Sequence, residues 1–347
     1  MRAAVVSGYG DVERLELREV SRPDPGSGQL LVRVRAAGVN PIDWKIRRGS
    51  LRLLLPAGFP LILGFDVAGE VAAIGPEVAD FEPGEPVYAM LDSRHGGGYA
   101  EYAVVGQAAA APKPEALTYD EAAAVPVAGL TALQALRDLA GLRAGQRVAI
   151  TGAAGGVGHL AVQLAAALGA HVTAVAGQDH QDFVRQLGAE RAVDYTREDF
   201  TALVGTGGDG AGGTGDAPAG TEPTGPGEPG GLYDAIFDAA GVSGFAECED
   251  ALAAGGVYVT TSPGPAIFLA QLRSGLARLV DRHNARRARS LRARPSGDDL
   301  AELGELISAG RLRPVVERVF QLDEVRQAHA ASEAGHRRGK LVLRIDP

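Results

Sequence analysis

Cysteine is almost absent: Cys248 is the only one in 347 residues. No disulfide can close within the chain, and no zinc site using two or more cysteines can be built from it. Cys248 falls in a helix-like stretch, Gly244–Ala254, where a small buried apolar role suits it. Long apolar runs are missing too. None reaches the roughly 18 residues that a membrane span requires. The opening MRAAVVSGYG has the pattern of a strand and turn, not of a signal peptide. Nor is there an excess of positive charge. The net charge is −9, and the one basic cluster (Arg282, Arg286, Arg287, Arg289, Arg292, Arg294) reads as a solvated face or subunit contact. The composition therefore argues against a nucleic-acid partner. We expect a cytoplasmic protein without a membrane partner, long enough for two domains with cores of their own.

Glycine is plentiful where it counts. In RVAITGAAGGVGHLAVQLAAA (Arg147–Ala167) a short apolar run, Val148–Ile150, meets Gly152, Gly155, Gly156, Val157 and Gly158. An apolar stretch of helical length, Leu160–Leu168, follows. Strand, glycine turn and helix together place a pyrophosphate on a helix N-terminus. Gly155 and Gly156 admit the phosphates to the backbone, and Gly158 lets helix and strand pack closely. This pattern predicts a bound dinucleotide.

Residues 1–122 read as β-rich, with short strands at Arg2–Ser7, Leu15–Glu19, Gln29–Ala37, Asp66–Ile74, Pro86–Met90 and Tyr99–Val105, punctuated by Gly and Pro. A compact barrel-like domain is expected. Near Thr118 the pattern changes. A capped helix (Thr118–Ala123) and a second helical stretch (Gly129–Leu139) lead into strands alternating with helices: Val148–Thr151, His171–Ala176, Ala192–Asp194, Ala235–Asp238 and Val257–Thr261. Such alternation marks a doubly wound parallel sheet. Gly205–Gly231 interrupts it with only Gly, Thr, Pro, Ala and acidic residues, a composition that cannot bury a core and reads as a disordered-type surface insertion. Asp298–Ala309 reads as a helix. Val315–Phe320 and Lys340–Ile345 read as strands returning to the first domain.

Several ordered motifs now carry a resemblance: AAGVNPIDWKIRRG (Ala36–Gly49), LGFDVAGEVAAIGPEV (Leu63–Val78), GGGYAEYAVV (Gly96–Val105), VPVAGLTALQAL (Val125–Leu136), TGAAGGVG (Thr151–Gly158), FDAAG (Phe237–Gly241) and GKLVL (Gly339–Leu343). The chain resembles zinc-independent members of the medium-chain dehydrogenase/reductase superfamily, close to the quinone oxidoreductase-like and enoyl reductase-like groups. The resemblance implies an α/β protein with a GroES-like β-rich catalytic domain (1–122), a Rossmann NAD(P)-binding domain (123–295, with the insertion at 205–231) and a return to the catalytic domain (296–347). It places the active site in the cleft between domains and implies a homodimer paired through the Rossmann sheet edge.

Zinc-dependent relatives carry a Cys in the segment matching Gly38–Asp43 and a His-Glu pair where this chain has Phe65 and Asp66. Here Asn40 stands near the ligand position and Phe65 cannot bind a metal, so no metal site is expected. The implied reaction is hydride transfer from NAD(P)H to an activated C=C bond or a quinone. The oxyanion that forms must then be held by hydrogen-bond donors rather than a Lewis acid. Asn40, Lys45 and Tyr99 are the candidate catalytic donors, with Asp43 able to orient the first two. Thr131, Gly152, Gly155, Gly156, Val157, Gly158, His180, Tyr195, Ala239, Thr261 and Lys340 are the candidate cofactor contacts. After the second Rossmann strand, the turn holds Gly177, Gln178, Asp179 and His180 where NADPH-using relatives place Ser and a cation. Tyr195 and His180 favour NADPH, and Asp179 favours NADH; NADPH is the expectation, with NADH possible. The alternatives are an alcohol or ketone oxidoreductase on the same cofactor, or a non-catalytic nucleotide-binding partner protein.

Overall fold

A computed structural model describes residues 1–53, 55–202, 232–262, 264–281, 284–335 and 337–345. The Gly205–Gly231 insertion and Arg282 lie outside the described residues. The chain forms two compact units: Met1–Leu133 with Gly155–Leu160 and Ala293–Pro347, and Gln134–Ala154 with Ala161–Arg292.

The first unit is built on a mixed sheet whose strands run in the order Val316–Gln321, Lys340–Arg344, Gln29–Val39, Asp66–Ile74, Pro86–Met90, Ala110–Pro112, with Tyr102–Gly106 also paired to Gln29–Val39. A smaller antiparallel sheet joins Leu15–Glu19, Arg2–Val6 and Leu61–Ile62. Gln29–Val39 forms the centre, paired with three other strands, and its face carrying Leu30, Val32 and Val34 is fully buried, while Arg33 and Arg35 opposite are half-buried. Its register sets the site. Val39 lies opposite Leu341 on one side, and Gly38 opposite Asp66 on the other. Both neighbours run antiparallel to it, so the end of one strand meets the starts of two others. Asn40, Asp66 and Lys340 thereby share one edge. Only glycine fits at Gly38, where a Cβ would sit 2.4 Å from the Ala123 carbonyl oxygen.

Local chemistry fixes the helices of this unit. Pro41 opens Pro41–Arg47 at the position where its missing N–H costs nothing. At Tyr119–Ala123, Thr118 Oγ1 accepts from the Glu121 amide while Glu121 Oε2 accepts from the Thr118 amide, a reciprocal cap. Tyr99 lies outside the strand expected at Tyr99–Val105, which spans Tyr102–Gly106. At Ala3–Ala100 the chain instead makes an isolated bridge.

The second unit holds a six-stranded sheet, parallel throughout, in the order Arg191–Asp194, His171–Ala176, Arg147–Thr151, Tyr233–Asp238, Leu252–Thr260, Arg287–Ser290. Numbered along the chain, this is 3-2-1-4-5-6, the doubly wound dinucleotide-binding order. The inner strands are near-continuous apolar runs, as strands covered on both faces require, whereas the outermost strand Arg287–Ser290 buries only Ala288. Gly158–Ala167 is the helix that follows the first strand. The helix-like stretch expected at Gly244–Ala254 is helical as far as Ala251, with Phe245–Cys248 followed by a 3-10 turn at Glu249–Ala251, but it ends three residues early because Leu252 begins a strand. Pairing of Leu252 with Tyr233 outweighs the local helical pattern. Cys248 is fully buried.

Candidate active site

Asn40 stands where a helix N-cap side chain would ordinarily accept a backbone N–H. Its side chain goes elsewhere. Asn40 Nδ2 donates to Asp66 Oδ2 at 2.9 Å, and Asn40 Oδ1 accepts from Lys340 Nζ at 2.5 Å. Lys340 Nζ also donates to Asp66 Oδ2 at 3.2 Å, and Asp66 Oδ1 accepts from the Val127 amide at 2.7 Å. That amide lies in the first turn of Pro126–Leu133. Asn40, Asp66 and Lys340 are 4, 0 and 3 % exposed. A buried lysine and aspartate, with an amide locked between them, form one closed set.

Asp43 lies directly beneath. It accepts from the Asn40 amide at 2.7 Å, the Tyr99 hydroxyl at 2.8 Å and the Gly64 amide at 3.2 Å. Burial pushes its carboxyl up to about 7, against the pull of the Asn40 and Tyr99 hydrogen bonds. The Tyr99 hydroxyl is raised well above its ordinary value, first by burial and then by the Asp43 charge. The Tyr99 ring meets His329 edge-on at 5.7 Å. His329 Nδ1 accepts from Arg47 Nε at 3.4 Å, and burial, then Arg47, lower its pKa to about 3. Arg47 also pairs with Glu333 and donates to the Gly10 carbonyl. Tyr99 is thus a fully buried side chain committed to Asp43. Lys45 is half-buried with its ammonium 5.7 Å from the Trp44 ring centre, and it is not joined to Asn40. Asp43 bonds the Asn40 backbone, not its carboxamide.

The glycine turn reaches the same set through Lys340. A Cβ on Gly156 would lie 3.1 Å from Lys340 Cδ, so the lysine stem runs along the turn. His159 closes the turn from below. Its Nδ1–H donates to the Gly155 carbonyl at 2.9 Å, and its Nε2 accepts from the Val315 amide at 3.1 Å. These two bonds fix a neutral tautomer, and burial lowers the His159 pKa to about 4. Gly339 needs its φ of +84°, and a Cβ there would meet the Val315 carbonyl oxygen at 2.2 Å. Gly155, Gly156 and Val157 are half-buried, and Gly158 is buried at the start of its helix. Thr131 donates its hydroxyl to the Val127 carbonyl of its own helix at 2.5 Å.

In the second unit Asp238 closes the fourth strand of the parallel sheet. Its Oδ1 accepts from Thr151 Oγ1 (2.6 Å) and the Gly241 (2.9 Å) and Val242 (3.2 Å) amides. Its Oδ2 accepts from the Ser243 amide (3.2 Å), the Tyr258 hydroxyl (3.0 Å) and Thr260 Oγ1 (3.2 Å). One carboxylate thereby ties three strand ends to the loop Ala239–Ser243, at the sheet edge where doubly wound folds bind ligands. Gly152 and Gly241 take φ of +59° and +70°. Thr261 Oγ1 donates to the Ala239 carbonyl at 3.3 Å. Beyond the second strand, the Tyr195 hydroxyl would lie 3.6 Å from a Cβ on Gly177. Arg197 donates to Gln178 Oε1 at 3.0 Å and pairs with Asp194 at 3.6 Å. His180 and Asp179 are half-buried and exposed respectively. Sequence reasoning passed over His159, Asp238 and Arg197. Asp238 does lie inside the FDAAG motif, where an acid closing an apolar strand was a visible signal.

The alcohol dehydrogenase GroES-like domain model matches residues 26–115, and the model described as zinc-binding dehydrogenase matches residues 187–343. A chloroplastic quinone-oxidoreductase of Triphysaria versicolor is 35% identical over 99% of this chain and 98% of its own length. A mitochondrial NAD(P)H oxidoreductase of Danio rerio is 33% identical over 99% of this chain and 91% of its own. The solved quinone oxidoreductase of Coxiella burnetii superposes with a TM-score of 0.82 at 33% identity, covering 100% of this chain and 99% of that one. The chain belongs to the medium-chain dehydrogenase/reductase superfamily of oxidoreductases, in its quinone oxidoreductase-like group.

The residues present do not fit the metal in one model's description. Phe65 offers no donor atom, and the oxygens of Asn40 and Asp66 already hold the Lys340 ammonium, which would repel a divalent cation. Among the described residues no group of three or more His, Cys, Asp or Glu is placed to hold a metal ion.

Proposed function

We propose that this protein reduces quinones and conjugated carbonyl compounds with NADPH, without a metal. The supporting observation is the Asn40–Asp66–Lys340 set beside the glycine turn: polar, buried and cationic where a Lewis acid would otherwise be needed. The doubly wound order and the glycine turn fit a dinucleotide, with its diphosphate over Gly155–Gly158. When bound, the reduced nicotinamide supplies a hydride. A quinone is itself a conjugated carbonyl, so in either substrate negative charge develops on an oxygen as the hydride arrives. Asp66 takes one Nδ2 hydrogen of Asn40, and the second hydrogen is the donor for that oxygen. A solvent proton completes the reduction. Tyr99 serves Asp43 in this scheme and donates no proton to substrate.

The preference for NADPH rests on Arg197. It is a cation held against Gln178 in the turn after the second strand, the turn where a 2′-phosphate would lie. The proposal also includes a homodimer, through the outermost strand Arg287–Ser290 of the parallel sheet, and a cytoplasmic location. No described helix is long and apolar enough to cross a membrane. The test is a steady-state panel of quinones, enones and simple alcohols with NADPH and NADH, with and without a chelator. Quinone or enone turnover that survives chelation is expected. Turnover confined to alcohols, or abolished by the chelator, would overturn the proposal.

A further inference from the structure

Among the buried polar groups, the Lys340–Asp66 pair is the hardest to explain by stability. Withdrawing two charges from water carries a large desolvation cost, and a buried pair seldom returns more than it costs. Yet Lys340 and Asp66 are 3 and 0 % exposed and 3.2 Å apart. What the pair does hold is Asn40. The carboxamide is gripped at both ends, with Oδ1 on Lys340 and Nδ2 on Asp66. This fixes which end of the amide is nitrogen. It also diverts Asn40 from capping its own helix. A cation on an amide oxygen draws charge from the nitrogen and strengthens its remaining N–H as a donor.

We infer that Lys340 is a positioning residue: its ammonium orients and polarises the Asn40 carboxamide, with Asp66 as the counter-ion that holds both. The lysine stem lies along Gly156, so the same side chain sets the amide at a fixed place relative to the glycine turn. This inference rests on the proposed reductase activity and adds a division of labour to it. Lys340 acts on turnover through Asn40, and contributes little to nucleotide affinity.

The test compares Lys340→Met, Lys340→Arg and the double variant Lys340→Met/Asp66→Asn with the parent. Readouts are the NADPH Kd by fluorescence titration, kcat with an enone or quinone, and Tm. Lys340→Met is expected to lose at least tenfold in kcat with its NADPH Kd within threefold of the parent. Its Tm falls because Asp66 is left buried and unpaired. Lys340→Arg is expected to recover part of kcat. In the double variant the charge imbalance is gone, so Tm returns while kcat stays low. A merely structural lysine would let kcat return with Tm, and that result overturns the inference. So does a Kd that rises in step with the loss of turnover, since Lys340 would then be a cofactor ligand. Unchanged kcat in Lys340→Met overturns it too. If the parent binds NADPH but reduces no quinone or enone, the functional proposal itself fails and this inference falls with it.

Discussion

Replacing Asp238 by alanine removes one carboxylate and six hydrogen bonds, and the donors left behind are not equivalent. The Gly241, Val242 and Ser243 amides lie on a loop open to water, with Val242 77% exposed, so they recover solvent partners. Each then forfeits only the net worth of a bond, about 0.5–1.5 kcal/mol. Tyr258 keeps a second bond to the Ser243 carbonyl. Thr260 Oγ1 still accepts from the Ser262 amide at 3.1 Å. Thr151 is 3% exposed and loses the side-chain partner it has, which carries a full desolvation penalty of about 1–3 kcal/mol. Together these place the cost of Asp238→Ala at about 2.5–7.5 kcal/mol. Asp238→Asn keeps the oxygen facing Thr151, Gly241 and Val242. It turns an NH2 towards Ser243, Tyr258 and Thr260, whose hydroxyls can rotate to accept while the Ser243 amide cannot. Its cost is about 1–3 kcal/mol. Urea unfolding followed by circular dichroism reads both values, and hydrogen exchange at Gly241–Ser243 reports the loop directly. The loop amides should lose protection in both variants, and NADPH affinity should fall with them. An Asp238→Ala protein within 1 kcal/mol of the parent would refute this account of how the strand ends are joined.

Arg197→Ala should weaken NADPH by about tenfold and leave NADH nearly unchanged, as measured by fluorescence titration; equal losses for both would remove Arg197 from the 2′-phosphate. Asp43 holds its proton more tightly folded (about 7) than unfolded. Its contribution to stability is therefore present below about pH 4 and is lost as pH rises through 7, amounting to a few kcal/mol at most. Urea midpoints from pH 5 to 8 should fall for the parent relative to Asp43→Asn, and parallel curves would contradict the raised value. Gly339→Ala puts a side chain on a φ of +84° and 2.2 Å from a carbonyl oxygen. It should cost more than about 2 kcal/mol, and a Tm matching the parent would show that the backbone at Val315 can yield.

Five strands of the parallel sheet were legible in sequence because they are short apolar runs, a pattern that buried parallel strands impose, while the sixth, Arg287–Ser290, was hidden in the basic cluster because an edge strand buries little. The glycine turn was legible because its glycines gather between an apolar strand and an apolar helix: Gly152 takes a φ of +59°, and a Cβ on Gly156 would lie 3.1 Å from Lys340 Cδ. Asn40 stood out as an amide where a thiolate would bind metal. Lys340 was found only through the family motif, since nothing in GKLVL says that its ammonium reaches Asn40 and Asp66, 300 and 274 positions away. That contact follows from the antiparallel register of three strands. Tyr99 shows the converse. A tyrosine after a glycine run suggested an acid near substrate, and the fold instead seats it in the core on Asp43. The helical stretch at Gly244–Ala254 misled only at its end: it stops at Ala251 because the pairing of Leu252 with Tyr233, which starts the next strand, lies outside any short window.

Isotope transfer tests the central claim most directly. With NADPH deuterated at nicotinamide C4 on the transferred face, a conjugated enone and a chelator present throughout, the reduced product should carry the deuterium at its β-carbon. An unlabelled product, or label found only on a carbinol carbon, would contradict metal-free conjugate reduction by this site.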